Sequence, residues 1–338
     1  MKFMRSLVGA TVTAAVLALA SPAAAQKTTL RIESVVPAGH ATSQAMEIFK
    51  TELERRSGGS IEVEVAAGVP RSLKELIDAV HAGQIFATWT SIGNFSRLVP
   101  EVAAVSLPFV FENYDEARRA VASPVGTLIE TKLGTKGFAV LAWMELGALH
   151  VTNAKRPLKT LDDFKGLSLR VLPNETHLAT FRAIGARPVG MDLKEVDAAL
   201  RQGDIEGQEQ DYSATYTNKY FESQKYLSDT GHFLDFHVLV ADRRAFASLE
   251  PKQQKAIREA AAIAAVQQHK MAATAEAAAL AGLKEKGMQF DALPPETRVA
   301  LRKATAGVID SVKNQVGADL VDKVLLARKR GAGRDGHR

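Results

Sequence analysis

GLSLRVLPN, residues 166–174, carries the pattern on which the fold turns. Leu167, Leu169 and Val171 alternate with Ser168 and Arg170 as a half-buried strand does, and Pro173 bars continuation into a central strand. Arg170 therefore stands at a strand end. Ligands of open α/β sheets lie at the carboxyl ends of their strands, where a guanidinium can hold a carboxylate or phosphate through two parallel hydrogen bonds. An arginine is equally at home on the surface beside a neighbouring acid, and this segment alone leaves both readings open. Further on, Leu193, Val196 and Leu200 share one face of a helix that Gly203 closes as its C-cap. Gly207-Gln208 then reads as a tight crossover that presents amide and carboxylate side chains at a sheet edge.

The same alternation extends both ways. TLRIESV (29–35) and IEVEV (61–65) read as strands, each followed by a helical pattern. Leu73, Leu76, Ile77 and Val80 place one apolar stripe on a helix between Ser72 and Ala82. GFAVLAWMEL (137–146) and FHVLVAD (236–242) read as buried strands. Strand and helix in turn predict an α/β fold with parallel sheets. The alanine-rich region Pro251–Lys286, opened by a proline and met by Gly287, is one long helix or two ordinary ones broken between Ala272 and Ala279.

The ends bound the setting. Lys2 and Arg5, the apolar run Leu7–Ala20 and Ser21-Pro22-Ala23-Ala24-Ala25 follow the order of a cleavable secretory leader over residues 1–25. No later run reaches the roughly 18 apolar residues of a membrane span, so the mature protein is expected to be soluble and exported to the periplasm. The chain has 0 cysteines, which excludes a lipid-anchored leader and any disulfide framework. The roughly 310 residues that remain are enough for two packed domains. The formal charge of +5 is concentrated at the ends: the leader holds two basic residues, and RKRGAGRDGHR (328–338) holds five against one acid. The body is close to neutral, which argues against nucleic acid as a partner, and the tail 329–338 reads as disordered.

Motifs for a serine nucleophile, a zinc hydrolase, a phosphate-binding loop or a dinucleotide site are absent, so no catalytic residue, cofactor or metal is expected. GDIEGQEQD (203–211) is rich in carboxylates, yet its glycine and its last acid do not fall where a calcium loop needs them.

DDFKGLSLRVLPN (162–174), GARPVGMDLKEVDAALRQGDIEGQEQ (185–210) and YFESQKYLSDTGH (220–232) together resemble the solute-binding proteins of tripartite ATP-independent periplasmic (TRAP) transporters, the DctP-type family. The likeness reaches ELIDAVHAGQI (75–85) and LPFVFENYDEA (107–117), and runs into the long helix. It implies a two-domain periplasmic-binding-protein-like fold with crossing hinge strands and one long bracing helix, and no enzyme. Domain I is expected over 26–147 plus 236–275, and domain II over 148–235 plus 276–328. The ligand is a small organic acid, a sugar acid or hydroxy acid among them, delivered to a membrane permease. The alternatives are a periplasmic enzyme acting on an organic acid, or a ligand-presenting adaptor for a sensor or chemoreceptor.

The resemblance assigns Arg170 to the ligand carboxylate and an amide role to Gln210, where the family usually has asparagine. Leu149 stands where many members carry a second arginine, which favours one carboxylate over two; Leu193 replaces an aromatic residue, and Phe86 replaces an acid. Further candidates for the cleft are Pro173 beside Arg170, and Arg71, Trp89, Ser91, Asn94, Trp143, Glu145, Asp235 and His237 on the other wall. Each has a plainer role open to it: Trp89 and Trp143 as core, Glu145 and Arg71 in local pairs, His237 as a satisfied core histidine. His40 and His232 read as structural.

Overall fold

The computed structural model describes residues 27–329. The expected leader lies outside the described residues, as does the basic tail beyond Lys329. In chain order the elements are β1 (Thr28–Ser34), α1 (Ala41–Arg56), β2 (Ile61–Ala67), α2 (Leu73–His81), β3 (Ala87–Ser91), α3 (Tyr114–Val121), α4 (Pro124–Thr135) and β4 (Phe138–Asn153). There follow β5 (Ser168–Val171), α5 (Glu175–Ala183), β6 (Arg187–Gly190), α6 (Leu193–Gln202), β7 (Gly207–Gln210), α7 (Tyr212–Thr217) and β8 (Tyr226–Asp242). The chain ends with α8 (Arg243–Ser248), α9 (Pro251–Glu285), β9 (Gln289–Ala292), α10 (Pro295–Val316) and α11 (Ala318–Lys329).

Local chemistry explains the boundaries. Ser72 and Glu75 close a reciprocal capping box at the start of α2, and Gly203 ends α6 in the left-handed region at φ +79°. α9 is a single helix of 35 residues, about 50 Å at 1.5 Å per residue. Its alanines, Ala256, Ala260, Ala261 and Ala264, are buried in the cluster that contains Phe49 and Leu53 of α1, because small side chains let the two helices approach closely. α9 also packs on β4 and α7, so it braces both halves of the molecule.

The sheet order is β2-β1-β3-β8-β4-β7-β5-β6, with β9 on β8. At its two ends, β1 pairs in parallel with β2 and β3, and β5 with β6 and β7. The expectation of parallel sheets fails in the middle: β4 and β8, of 16 and 17 residues, run antiparallel to each other, and β3 and β7 pair antiparallel with them. Read as short strands from their apolar halves, β4 and β8 instead cross between the lobes, continuing through His150, Thr152 and Asn153 and through Ser228, Thr230 and His232. Those polar residues hide the strand from an apolar-run criterion. β7 likewise lies inside the sheet between β4 and β5, not at an edge.

α11 departs from the expected division of the chain. Leu301 of α10 packs in the cluster under β5, but Val312, Leu320, Val321 and Val324 belong to the cluster beneath α3 and α4, in the first lobe. Periodicity marks an apolar face without saying which lobe receives it.

β4 changes register against β8 between Glu145 and Gly147. Gly147 has φ +118°, and a Cβ there would lie 2.5 Å from Cβ of Asp211. Gly147→Ala is expected to cost about 2 kcal/mol or more, from backbone strain and collision together. Urea denaturation measures it; a loss below about 0.5 kcal/mol would mean the crossing point is pliant.

Candidate functional site

A cavity of about 70 Å³ lies between the lobes. The first lobe contributes His40, Arg71, Thr90, Ser91 and Asn94; the second contributes Arg170, Leu172, Pro173, Asp192, Leu193, Gln210 and Asp211. Leu146 and His237 enter from the crossing strands.

Arg170 is 3% exposed, at the third position of β5. Its Nε donates to the Met191 carbonyl at 2.9 Å, while Nη1 is buried without a partner. Among the described residues it forms no salt bridge; burial pulls its pKa down, and Tyr220, Glu209 and Asp192 act against that. A guanidinium stays charged in proteins, and a buried charge without a close counter-ion costs several kcal/mol. The site is therefore arranged to receive an anion.

Behind Arg170 lies a network with no counterpart in any sequence pattern. The fully buried Glu209 carboxylate accepts from the Leu172 backbone N–H at 2.9 Å, and bonds His177 Nδ1 at 2.6 Å and His232 Nε2 at 2.7 Å. The two imidazoles hold its carboxyl far below the usual carboxylate range, although burial opposes them. Burial of His232 pulls that imidazole down. The network fixes the backbone that leaves β5, and so the aim of Arg170. The partners of Glu209 come from α5 and β8, distant in sequence.

The opposite wall is polar but mostly neutral. Arg71 Nε sits 3.2 Å from Glu33 Oε2, and that buried carboxylate also meets Arg31 at 2.8 Å. Asn94 donates to Thr90 Oγ1 at 2.9 Å, and Ser91 Oγ to Asp235 Oδ2 at 2.8 Å. His40 caps α1, and its Nε2 lies 3.0 Å from the Leu146 carbonyl and 3.5 Å from Asp211 Oδ1. Thr42 links His40 to His237 by contacts of 2.8 and 3.1 Å, and burial pushes His237 well down, to its neutral form.

Of the residues singled out from sequence, Arg170, Gln210, Pro173, Arg71, Ser91, Asn94 and His237 line this cavity. Four do not. Trp89 is fully buried in the core with Leu30 and Met46, its Nε1 on Ser43 Oγ at 3.3 Å. Trp143 points elsewhere and donates to Glu130 at 2.7 Å; Glu145 pairs with Arg118 and faces a second cavity behind the crossing strands. Asp235 is buried one layer back, where it holds Ser91. Reading a strand end as a site fails where the pleat turns a side chain to the other face. Leu149 is buried with Leu146, Leu172 and Phe233, and Phe86 packs in the first-lobe core. Asp192, Asp211 and His40 also line the cavity, and the only mark they carry in the sequence is a cap position, at α6, α7 and α1.

The family described as bacterial extracellular solute-binding protein, family 7, matches residues 32–315. The 2,3-diketo-L-gulonate-binding periplasmic protein YiaO of Escherichia coli (strain K12) is 30% identical over 230 residues, 66% of this chain and 70% of that one. The C4-dicarboxylate-binding periplasmic protein DctP of Rhodobacter capsulatus is 27% identical over 332 residues, 96% of this chain and 98% of that one. Among solved structures, the sugar acid binding protein DctPAm from Advenella mimigardefordensis strain DPN7T, in complex with galactonate, matches with a TM-score of 0.87 at 28% identity, covering 90% of this chain and 99% of that one.

Proposed function

Because the chain belongs to the bacterial extracellular solute-binding proteins of family 7, the binding subunits of TRAP transporters, we propose that it captures a hydroxylated monocarboxylic acid in the periplasm and presents it to a membrane permease. The observation that carries the ligand class is the guanidinium of Arg170, a residue of the cleft wall whose Nη1 is buried with nothing bonded to it. A carboxylate there restores neutrality to a desolvated charge, and closure of the lobes removes water and strengthens the contact. Gln210, Asn94, Ser91 and the neutral His237 supply donors and acceptors for hydroxyl groups. Binding with closure, and no bond made or broken, is the activity; recovery of the acid unchanged after incubation checks this.

The second cation of the cleft is already engaged. Arg71 is paired with Glu33, and Leu149 offers no charge, so a second ligand carboxylate would have to compete with a buried protein carboxylate. Polyhydroxy monocarboxylates such as galactonate, gluconate and erythronate are therefore expected to bind more tightly than succinate or malate. A thermal-shift screen reads this, since ligand at 100 times its Kd adds about 2.7 kcal/mol of stability. Tighter binding of succinate or malate than of every hydroxy monocarboxylate would overturn the single-carboxylate reading.

A further inference from the structure

The crossing point of the two long strands brings together two carboxyl groups that come from different elements. Asp211 caps α7, its Oδ1 accepting from Ala214 N–H at 2.7 Å, and it forms part of the ligand cleft wall. Glu276, on the bracing helix α9, accepts from the backbone N–H groups of Tyr212 and Ser213, the two residues that follow Asp211, at 3.0 and 3.2 Å. Gly147 leaves room for the pair: a Cβ at that position would sit 3.1 Å from Cγ of Asp211 and 3.4 Å from Cδ of Glu276. Glu276 also faces the second cavity, of about 600 Å³, on the back of the crossing strands. The pair therefore spans from the ligand cleft to the far side of the hinge.

We propose that Asp211 and Glu276 share one proton, and that Glu276 is a positioning residue which keeps this part of the anion-binding cleft at one negative charge instead of two. Two ionised carboxylates in contact in a buried site repel each other, and one of them holds its proton. A second negative charge at Asp211 and Glu276 would also act against an incoming carboxylate. Burial and the neighbouring Asp211 push the Glu276 carboxyl up from 4.5 to about 9. His40 meets Asp211 from the start of α1, and Tyr220 and Arg170 face it from the second lobe. Around Glu276 stand Tyr114 of α3, Tyr212 of α7 and Arg298 of α10, with Glu145 and His150 of β4 and Asp229 of β8 across the back cavity. No cation among these forms a salt bridge with Glu276 in the described residues, so the proton is its counter-charge.

Between about 4.5 and 9 the folded chain binds this proton and the unfolded chain does not, so stability falls as pH rises through that window and levels off above it. Glu276→Gln carries a permanent amide hydrogen toward Asp211 and lacks this dependence. In ligand-free urea denaturation, the variant should gain on wild type steadily from about pH 6 to pH 9. In calorimetry with galactonate as probe, wild type should bind about tenfold more weakly at about pH 10 than at about pH 7, while the variant changes less than about threefold. Asp211→Asn, which keeps an effective cap, gives a second route: it removes the like charge and makes the stability profile shallower, the burial of Glu276 remaining. The galactonate arm rests on the organic-acid reading and the denaturation arm does not, so failure of one is distinguishable from failure of the other. Parallel stability profiles for wild type and Glu276→Gln, or equal alkaline loss of galactonate affinity in both, would overturn the shared proton.

Discussion

Arg170→Ala is expected to weaken binding of the acid more than a hundredfold and to leave the ligand-free protein at least as stable as wild type. The affinity loss follows from closure: without the guanidinium, the ligand carboxylate is desolvated and unpaired, a penalty of roughly 3–5 kcal/mol. The stability half follows from the unliganded site. Arg170 is 3% exposed, makes one hydrogen bond to Met191 and leaves Nη1 unpaired, so the folded protein bears a desolvation cost that alanine removes. Arg170→Lys keeps the charge but exchanges a planar fork for a point ammonium, and should fall between the two. Calorimetry on the purified variants measures it. Affinity of the alanine variant within about threefold of wild type, a difference of only about 0.6 kcal/mol, would remove Arg170 from its role.

The second large effect is on stability. Glu209→Gln is expected to destabilise the fold by roughly 3–5 kcal/mol, because the fully buried carboxylate bonds the Leu172 N–H, His177 and His232, and an amide turns its own N–H groups toward one of them. The same network sets the acid limit of the wild type. Burial lowers His232 below its ordinary 6.5, so the unfolded chain takes up that proton first and stability begins to fall as pH drops through that value. Glu209 is held below its ordinary 4.5, and its stabilising contribution is lost on further acidification. The variant lacks this second phase. Circular dichroism against pH and urea reads both effects, and a variant within about 0.5 kcal/mol of wild type would show the network to be dispensable.

What could be read from the sequence was whatever repeats within one element. α2 and α6 announced themselves by apolar spacing and by Ser72 and Gly203 at their ends. Arg170 was placed at its strand end by alternation, and its role by the resemblance of the surrounding segments. The crossing of β4 and β8 was not visible in their composition, because their crossing halves carry polar residues: His150 on one, at the back cavity, and Thr230 and His232 on the other, buried and hydrogen-bonded. Contacts made through space were hidden altogether. Nothing near Glu209 in sequence names His177 or His232, and nothing in the alanine-rich run around Glu276 points to Asp211. Trp89 shows the opposite error: an aromatic residue next to Thr90 belongs to the other face of the same strand, in the core.

The capture of an organic acid by Arg170 is tested most directly by a crystal structure of the protein with the acid that the thermal-shift screen ranks first. The expected result is one acid between the lobes with its carboxylate in line with Nη1 and Nη2 of Arg170, at about 2.7–2.9 Å, since Nε is already given to Met191. Its hydroxyl groups should then face Gln210, Asn94 and His237, with the Arg71–Glu33 pair intact. A carboxylate bound by Arg71 in place of Glu33, or an acid seated outside this cleft with Arg170 still unpaired, would contradict it.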